Sequence, residues 1–177
     1  VDVPLVLMDS FNTHAETLKC LPHYAGSGVR VLTFVQSRHP RFDRDTLIPV
    51  AKTLDSPESD WYPPGHADFY QTFVGSGLAA SLAAEGKEFA FVSNVDNLGA
   101  TVDLPILESF ARQKMDFMME VTQKTRADVK GGTIIDHCGR AKLLEIAQVP
   151  PKHTRDFESI TKFKIFNTNN IWVRMAA

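Results

Sequence analysis

Two amides, a carboxylate and a glycine follow the most apolar run of the chain, and these residues are the best placed to do chemistry. The run is Phe89 to Val92, and Asn94, Asp96 and Asn97 come just after it. Because ligands of open α/β sheets bind at the carboxyl ends of strands, these side chains are candidates for a binding site. Asp96 is also a hard oxygen ligand that can hold Mg²⁺ against phosphate oxygens. The alternative is an asparagine-rich turn without a ligand.

A proline pair, a glycine and a histidine, Pro63 to His66, precede a helical pattern that begins near Ala67. The glycine allows close backbone contact, and the start of the helix offers free N–H groups that attract phosphate. His66 can add a hydrogen-bond donor, although a lone histidine here is commonly a cap or a packed surface group. Gln36, after the apolar run Val29 to Val35, offers an amide donor and acceptor to a nucleobase edge, with solvent exposure as the alternative.

Three further segments carry groups with both a binding and a structural interpretation. The segment Asn167 to Asn170 can donate amides to sugar hydroxyls or phosphate, or Thr168 or Asn167 can cap a following helix. The pair Gly131-Gly132 permits close backbone approach to a ligand, or a hairpin bend. Glu145 lies in the otherwise apolar, strand-like run Leu143 to Ala147, where it needs a sugar hydroxyl, a basic partner or an edge position facing water.

The apolar pattern predicts alternating strands and helices that position these residues. Strands are predicted over Val3–Met8, Val29–Val35, Phe89–Val92 and Asp116–Val121, and helices around Tyr70–Ala84 and Leu104–Arg112. The alternation favours a mainly parallel α/β sheet flanked by helices.

Three local signals refine this scheme. The spacing of Thr13 and Glu16 predicts a capping box at a further helix. Two short strands, Lys130–Ile135 and Ala141–Ala147, flank Cys138-Gly139-Arg140 and predict a hairpin, which is a small antiparallel extension of the sheet. The stretch Asp43 to Pro64 reads as a long surface loop.

Length and composition limit the protein's class. With 177 residues the chain is expected to form one domain around one core. A formal charge of −2 removes the main electrostatic argument for a nucleic-acid polymer, and no apolar run approaches the roughly 20 residues that cross a bilayer, so no membrane partner is expected. Two cysteines far apart in sequence fit a reducing cytoplasm.

Six long segments, in order along the chain, closely resemble eukaryotic-type UTP–glucose-1-phosphate uridylyltransferases, also called UDP-glucose pyrophosphorylases. The six segments are Phe34–Arg38, Trp61–His66, Phe91–Asp103, Lys124–Thr133, Glu145–Pro150 and Lys164–Asn170. The resemblance covers essentially the whole chain. It implies a Rossmann-like nucleotidyltransferase fold of the GT-A-like type.

The resemblance also implies a role for each candidate residue. Gln36 and Gly65 would read the uracil edge, and His66 would meet the phosphates. Asn94 would contact ribose or sugar, while Asp96 would serve the ribose and Mg²⁺, so that His66 and Asp96 are the implied catalytic residues. The implied residues of the glucose side are Gly131, Glu145, Asn167 and Asn169.

The implied reaction converts UTP and glucose 1-phosphate into UDP-glucose and pyrophosphate, reversibly and with Mg²⁺. A phosphate oxygen of glucose 1-phosphate attacks the α-phosphorus of UTP without a covalent enzyme intermediate, so catalysis rests on alignment and charge neutralisation. The alternatives are a nucleotide-sugar-binding module without catalysis and a pyrophosphorylase for other UDP-sugars. An NAD-binding domain is disfavoured because no Gly-x-Gly-x-x-Gly follows a strand.

Two departures from the family pattern qualify these expectations. Ala67 stands where the family has a glycine. The resemblance also implies that these residues are the central part of the catalytic domain, between a glycine-rich loop with its lysine and a later lysine with a β-helix domain. We therefore expect the isolated chain to bind weakly, to turn over little and to self-associate through an open sheet edge.

Overall fold

The computed structural model describes residues 2–127 and 131–177, which divide into two compact units. The first unit is Val1–Glu85 and the second is Gly86–Ala177. Residues 128–130 lie outside the described residues. They belong to the family-like segment Lys124–Thr133 and include the predicted start of a strand at Lys130. The division into two units is a feature that length and composition do not indicate.

The first unit begins with a strand, a helix and a parallel strand: β1 (Leu5–Asp9), α1 (His14–Cys20) and β2 (Val31–Val35). The predicted order is confirmed. The predicted capping box of α1 is wrong, because Thr13 has helical rather than extended backbone angles and its hydroxyl bonds to Ser10 instead of the helix.

The rest of the first unit is a long loop followed by two helices. Short antiparallel strands β3 (His39–Pro40) and β4 (Trp61–Tyr62) flank an irregular segment that confirms most of the predicted loop. The predicted helical stretch forms two helices, α2 (Phe69–Gly75) and α3 (Leu78–Ala84). Gly77, with φ of 80°, separates them. Phe34 on β2 packs against Phe69 and Phe73, with ring centroids 6.3 and 5.6 Å away.

The second unit is built around a three-stranded antiparallel sheet. Strands β5 (Phe89–Val92), β6 (Phe117–Gln123) and β9 (Ile165–Arg174) form this sheet, and helix α4 (Leu104–Arg112) connects β5 to β6. Helix α4 begins at Asp103, whose carboxylate accepts a hydrogen bond from the Ile106 N–H at 3.0 Å.

Strand β9 lies antiparallel between β5 and β6. Strands β5 and β6 therefore run in the same direction, as a helical crossover requires, but they are not neighbours. The prediction of a mainly parallel sheet is wrong for the described residues, where β1 and β2 form the one parallel pair. Alternation of strands and helices in the sequence indicates a crossover, but it does not show that a later strand, β9, lies between β5 and β6.

Strands β7 (Thr133–His137) and β8 (Arg140–Leu144) form the predicted hairpin. Cys138 and Gly139 both have positive φ, 56° and 76°, as a two-residue turn between twisted strands demands. The Thr133 hydroxyl donates to the Ile165 carbonyl at 2.8 Å, which attaches the hairpin to β9.

Between the hairpin and β9 the chain forms short helical turns, the last of which is α5 (Thr154–Glu158). Lys162 donates a hydrogen bond to the Asp156 carboxylate and thereby holds its pKa below the ordinary value. The core of the unit comprises Phe110, Phe157 and Trp172, each at most 1% exposed. No helix among residues 2–127 and 131–177 is both long and apolar enough to span a bilayer.

Candidate functional site

In the first unit, the structure joins the two residues predicted to read a nucleobase. The Gly65 N–H donates to Gln36 Oε1 at 2.8 Å. Gly65 has φ of 90°, and a Cβ there would meet no atom within 4 Å, so the backbone conformation rather than crowding requires glycine. One backbone donor and one side-chain acceptor thus lie side by side.

A second hydrogen bond crosses between the same two segments. The Ser37 N–H donates to the Asp68 carboxylate at 2.6 Å. Together the two bonds tie the end of β2 to the Pro63–Asp68 turn from both sides. His66, which is exposed, begins a 3-10 turn that continues into α2, so the predicted start of a helix is confirmed while its phosphate contact stays a prediction.

In the second unit, Asn94 and Asn169 are in direct contact. Asn169 Nδ2 donates to Asn94 Oδ1 at 2.7 Å, and the Asn169 N–H donates to Asn167 Oδ1 at 2.9 Å. Asn169 has φ of 60°, a left-handed conformation that asparagine tolerates better than most residues. The segment Asn167–Asn170 lies within β9, so the alternative of a helix cap is wrong.

The hairpin brings the other predicted sugar-side residues to β9. The Gly132 carbonyl accepts from the Asn167 N–H at 2.8 Å. The Glu145 carboxylate occupies the space that a Cβ on Gly132 would need, and the Phe166 ring does the same at Gly131. The glycine pair therefore allows close approach of neighbouring side chains.

Glu145 is placed by the turn that follows the hairpin. It lies just beyond β8 and begins the 3-10 turn Ile146–Gln148, where its N–H donates to Gln148 Oε1 at 2.9 Å. The prediction of a strand through Glu145 is therefore wrong. This turn directs the carboxylate towards Gly132.

Asp96 lies on the loop after β5 and is exposed. Within the described part of the chain its carboxylate accepts no hydrogen bond, and no group of three or more His, Cys, Asp or Glu side chains is arranged to hold a metal ion. Mg²⁺ is commonly held by one or two carboxylates together with substrate phosphates and water, so a single open carboxylate fits that ion.

Sequence reasoning did not select two residues that organise these sites, Asp68 and Glu120, and it placed Asn97 and Asn170 in candidate segments without a role of their own. Asn97 Nδ2 donates to Asn170 Oδ1 at 3.2 Å, and Asn170 Nδ2 donates to Glu120 Oε2 at 3.0 Å. Glu120 carries a usable signal, because it is a carboxylate within the otherwise apolar run Phe117 to Val121 of strand β6.

Comparisons with known proteins assign this arrangement to a family. The family model described as UTP–glucose-1-phosphate uridylyltransferase matches residues 1–177. UTP–glucose-1-phosphate uridylyltransferase 2 of Dictyostelium discoideum is 57% identical over all of this chain and 35% of that protein. The Solanum tuberosum uridylyltransferase is 52% identical over 99% of this chain and 37% of that protein. The chain spans about a third of the length of these relatives.

Solved structures agree with the sequence matches. UDP-glucose phosphorylase from Trypanosoma brucei superposes with a TM-score of 0.87 at 36% identity, over 98% of this chain and 39% of that one. A variant of UDP-glucose pyrophosphorylase from Leishmania major in complex with UDP-glucose gives a TM-score of 0.82 at 36% identity, over 98% and 40% of the two chains. By its sequence and its fold, this chain belongs to the UTP–glucose-1-phosphate uridylyltransferase family.

Proposed function

We propose that this chain supplies substrate-binding and catalytic residues of a UTP–glucose-1-phosphate uridylyltransferase. The reaction joins UTP and glucose 1-phosphate into UDP-glucose and pyrophosphate, and it is reversible. The observation that carries the proposal is the gathering of Asn94, Asn167, Asn169 and Glu145 within one unit of a chain from this family. The Leishmania major relative is solved in complex with UDP-glucose, which supports the same ligand here.

The first unit binds the uracil end of the nucleotide in this proposal. Uracil presents an N3–H donor beside a carbonyl acceptor. The Gly65 N–H is bonded to Gln36 Oε1 and so orients the Gln36 amide, whose Nε2 donor and second Oε1 lone pair complement the uracil edge. His66 follows Gly65 directly and contacts the phosphates, where an imidazole N–H can donate to a phosphate oxygen.

The second unit binds the sugar side. Asparagine amides both donate and accept, which suits the hydroxyl groups of glucose and ribose. Asn167 and Asn169 are preoriented by β9, and Asn94 meets Asn169 from the loop after β5. Glu145 accepts a hydrogen bond from a sugar hydroxyl with its carboxylate, which lies in the space that Gly132 leaves open. Gly131, which precedes Gly132, belongs to the same sugar side in this proposal.

Asp96 is the proposed ligand of Mg²⁺. Bound Mg²⁺ would neutralise phosphate charge as the α-phosphorus of UTP is attacked. The protein's own contribution is alignment: donors and acceptors on β9 and on the loops and turns that adjoin the strands hold the two substrates so that the glucose 1-phosphate oxygen and the α-phosphorus meet. No side chain needs to form a covalent intermediate.

Replacing the matching third of the Dictyostelium discoideum relative by residues 1–177 tests the proposal. We expect the chimera to release pyrophosphate from UTP and glucose 1-phosphate in the presence of Mg²⁺. Asp96→Ala should lower kcat by roughly a hundredfold or more, because it removes charge stabilisation that matters at the reacting phosphate. Asp45→Ala, an exposed carboxylate in the first unit, is the matched control and should leave turnover unchanged.

The alternatives predict other results. A folded chimera that binds UDP-glucose but releases no pyrophosphate would indicate a nucleotide-sugar-binding module without catalysis. Equal rates with galactose 1-phosphate would indicate a pyrophosphorylase for other UDP-sugars. Either result would contradict the proposed function.

We extend the proposal to the fold, the compartment and the assembly. The β1–α1–β2 and β5–α4–β6 crossovers support a Rossmann-like, GT-A-like sheet in the whole protein. Two exposed free cysteines, Cys20 and Cys138, are consistent with cytoplasmic localisation. Highly exposed apolar side chains, such as Leu98 at 93%, support self-association.

A further inference from the structure

Strand β9 carries a bulge opposite a single residue of β6. Met119 pairs with Ile171 and Val121 pairs with Asn167, so that Glu120 faces the three residues Thr168 to Asn170. Bulges commonly redirect side chains next to functional sites. Here the extra residues include Asn169, which contacts Asn94.

Glu120 holds this bulge with three separate acceptors. Its carbonyl oxygen accepts from the Thr168 hydroxyl at 2.8 Å, and its carboxylate accepts from Asn170 Nδ2 at 3.0 Å. The other carboxylate oxygen accepts from Trp172 Nε1 at 2.7 Å. Asn170 and Trp172 are 5% and 1% exposed, so water does not readily replace these bonds.

The carboxylate also fixes the direction of the amides beyond it. A carboxylate only accepts, so Asn170 must turn its NH₂ group towards Glu120 and its Oδ1 away. That Oδ1 accepts from Asn97 Nδ2 at 3.2 Å, which leaves Asn97 Oδ1 to accept from the Gly99 N–H at 3.2 Å. One carboxylate thereby determines the amide orientation of two asparagines in succession.

We propose that Glu120 is a positioning residue that orients the loop of Asn94 and Asp96 through Asn170 and Asn97. It contacts no substrate itself. The inference rests on the proposed function, because it matters for UDP-glucose only if that loop binds the ligand. It adds a determinant of the site that lies on β6, outside the residues with a proposed ligand contact.

Glu120→Gln tests the proposal because it keeps the shape of the side chain but replaces one carboxylate oxygen, an acceptor, by an NH₂ group, a donor. In ¹H–¹⁵N NMR spectra of the full chain, we expect the side-chain amides of Asn97 and Asn170 and the Trp172 indole to shift. The Trp61 indole, which donates to the Ser56 carbonyl at 3.2 Å in the first unit, is an internal reference and should not move. Glu108→Gln, at an exposed position of α4, is the matched control.

UDP-glucose affinity, measured by NMR titration in Mg²⁺, supplies the second readout. Glu120→Gln and Asn97→Ala should each weaken binding by roughly tenfold to a hundredfold. In the Asn97→Ala background, Glu120→Gln should lower the affinity further by less than about threefold, because the effects of substitutions within one hydrogen-bond network are not additive. Asn97→Ala changes a residue in a loop and tests the same link if Glu120→Gln fails to fold.

Two results would overturn the proposal. The first is an Asn97 side-chain amide resonance that does not shift in Glu120→Gln, and the second is a loss of affinity in the double variant equal to the product of the two single losses. A wild-type chain that does not bind UDP-glucose would instead contradict the proposed function. In that case the Asn97 and Asn170 amide resonances alone decide whether Glu120 orients them.

Discussion

At the scale of single residues, the proposed uracil contact depends on two hydrogen bonds that cross between the end of β2 and the Pro63–Asp68 turn. Gln36 accepts from the Gly65 N–H, and Asp68 accepts from the Ser37 N–H. Asp68 has no proposed contact with ligand, but its bond keeps the Gln36 segment beside Gly65. We therefore expect recognition of the base to require both bonds.

Asp68→Ala should weaken UDP-glucose binding by roughly tenfold and lower the stability of the first unit by about 1–3 kcal/mol, since it leaves a half-buried N–H without its partner. Asp68→Asn retains an acceptor of the same shape and should restore most of the affinity. Titration and thermal unfolding of the three proteins provide the measurement. Equal affinity in wild type and Asp68→Ala would contradict this role.

Residue types alone identified Asn94, Glu145 and the segment Asn167–Asn170, which the structure brings together, and the family resemblance selected Asn167 and Asn169 within that segment. They were recognisable because polar groups follow or interrupt apolar runs, where they need a partner. Asn97 and Asn170 were not separable from their neighbours, because their importance depends on hydrogen bonds that join residues 73 positions apart. A sequence pattern carries no direct record of such pairing.

At the scale of elements, local pattern predicted the existence of most strands and helices but not their arrangement. Strand β5 and helix α4 have the predicted bounds, because apolar periodicity and the Asp103 cap act locally. The central place of β9 depends on pairing with β5 and β6 far along the chain. Its bulge, which supplies Asn169, depends on the same long-range register.

Substitutions at two glycines, one just before the hairpin and one in its turn, should affect ligand binding and stability separately. Gly132→Ala places a methyl group where the Glu145 carboxylate lies, so this flexible side chain must move. We expect UDP-glucose affinity to fall by roughly tenfold, with little change in Tm. Gly139→Ala meets no atom within 4 Å but strains a residue with φ of 76°, so it should lower stability by about 1 kcal/mol and leave affinity unchanged.

Calorimetric titration and thermal unfolding of both variants check this separation. If Gly139→Ala weakens binding as much as Gly132→Ala does, the effect comes from the hairpin as a whole. That result would contradict a specific role for the position of Glu145.

At the scale of the whole molecule, each unit carries candidate residues for a different part of the proposed ligand. The first unit holds the uracil-side pair Gln36 and Gly65, and the second holds the sugar-side asparagines. Neither unit alone accounts for selection of both uracil and glucose. A ligand that carries both groups is therefore the most informative probe of the chain.

Calorimetric titration of this chain with UDP-glucose in Mg²⁺, with UDP-galactose and ADP-glucose as controls, tests the central claim most directly. UDP-galactose differs at one sugar hydroxyl and ADP-glucose differs in the base, so the two controls examine the sugar side and the base side separately. The account predicts that UDP-glucose binds more tightly than either control. A folded sample that binds none of them, or binds all three equally, would contradict it.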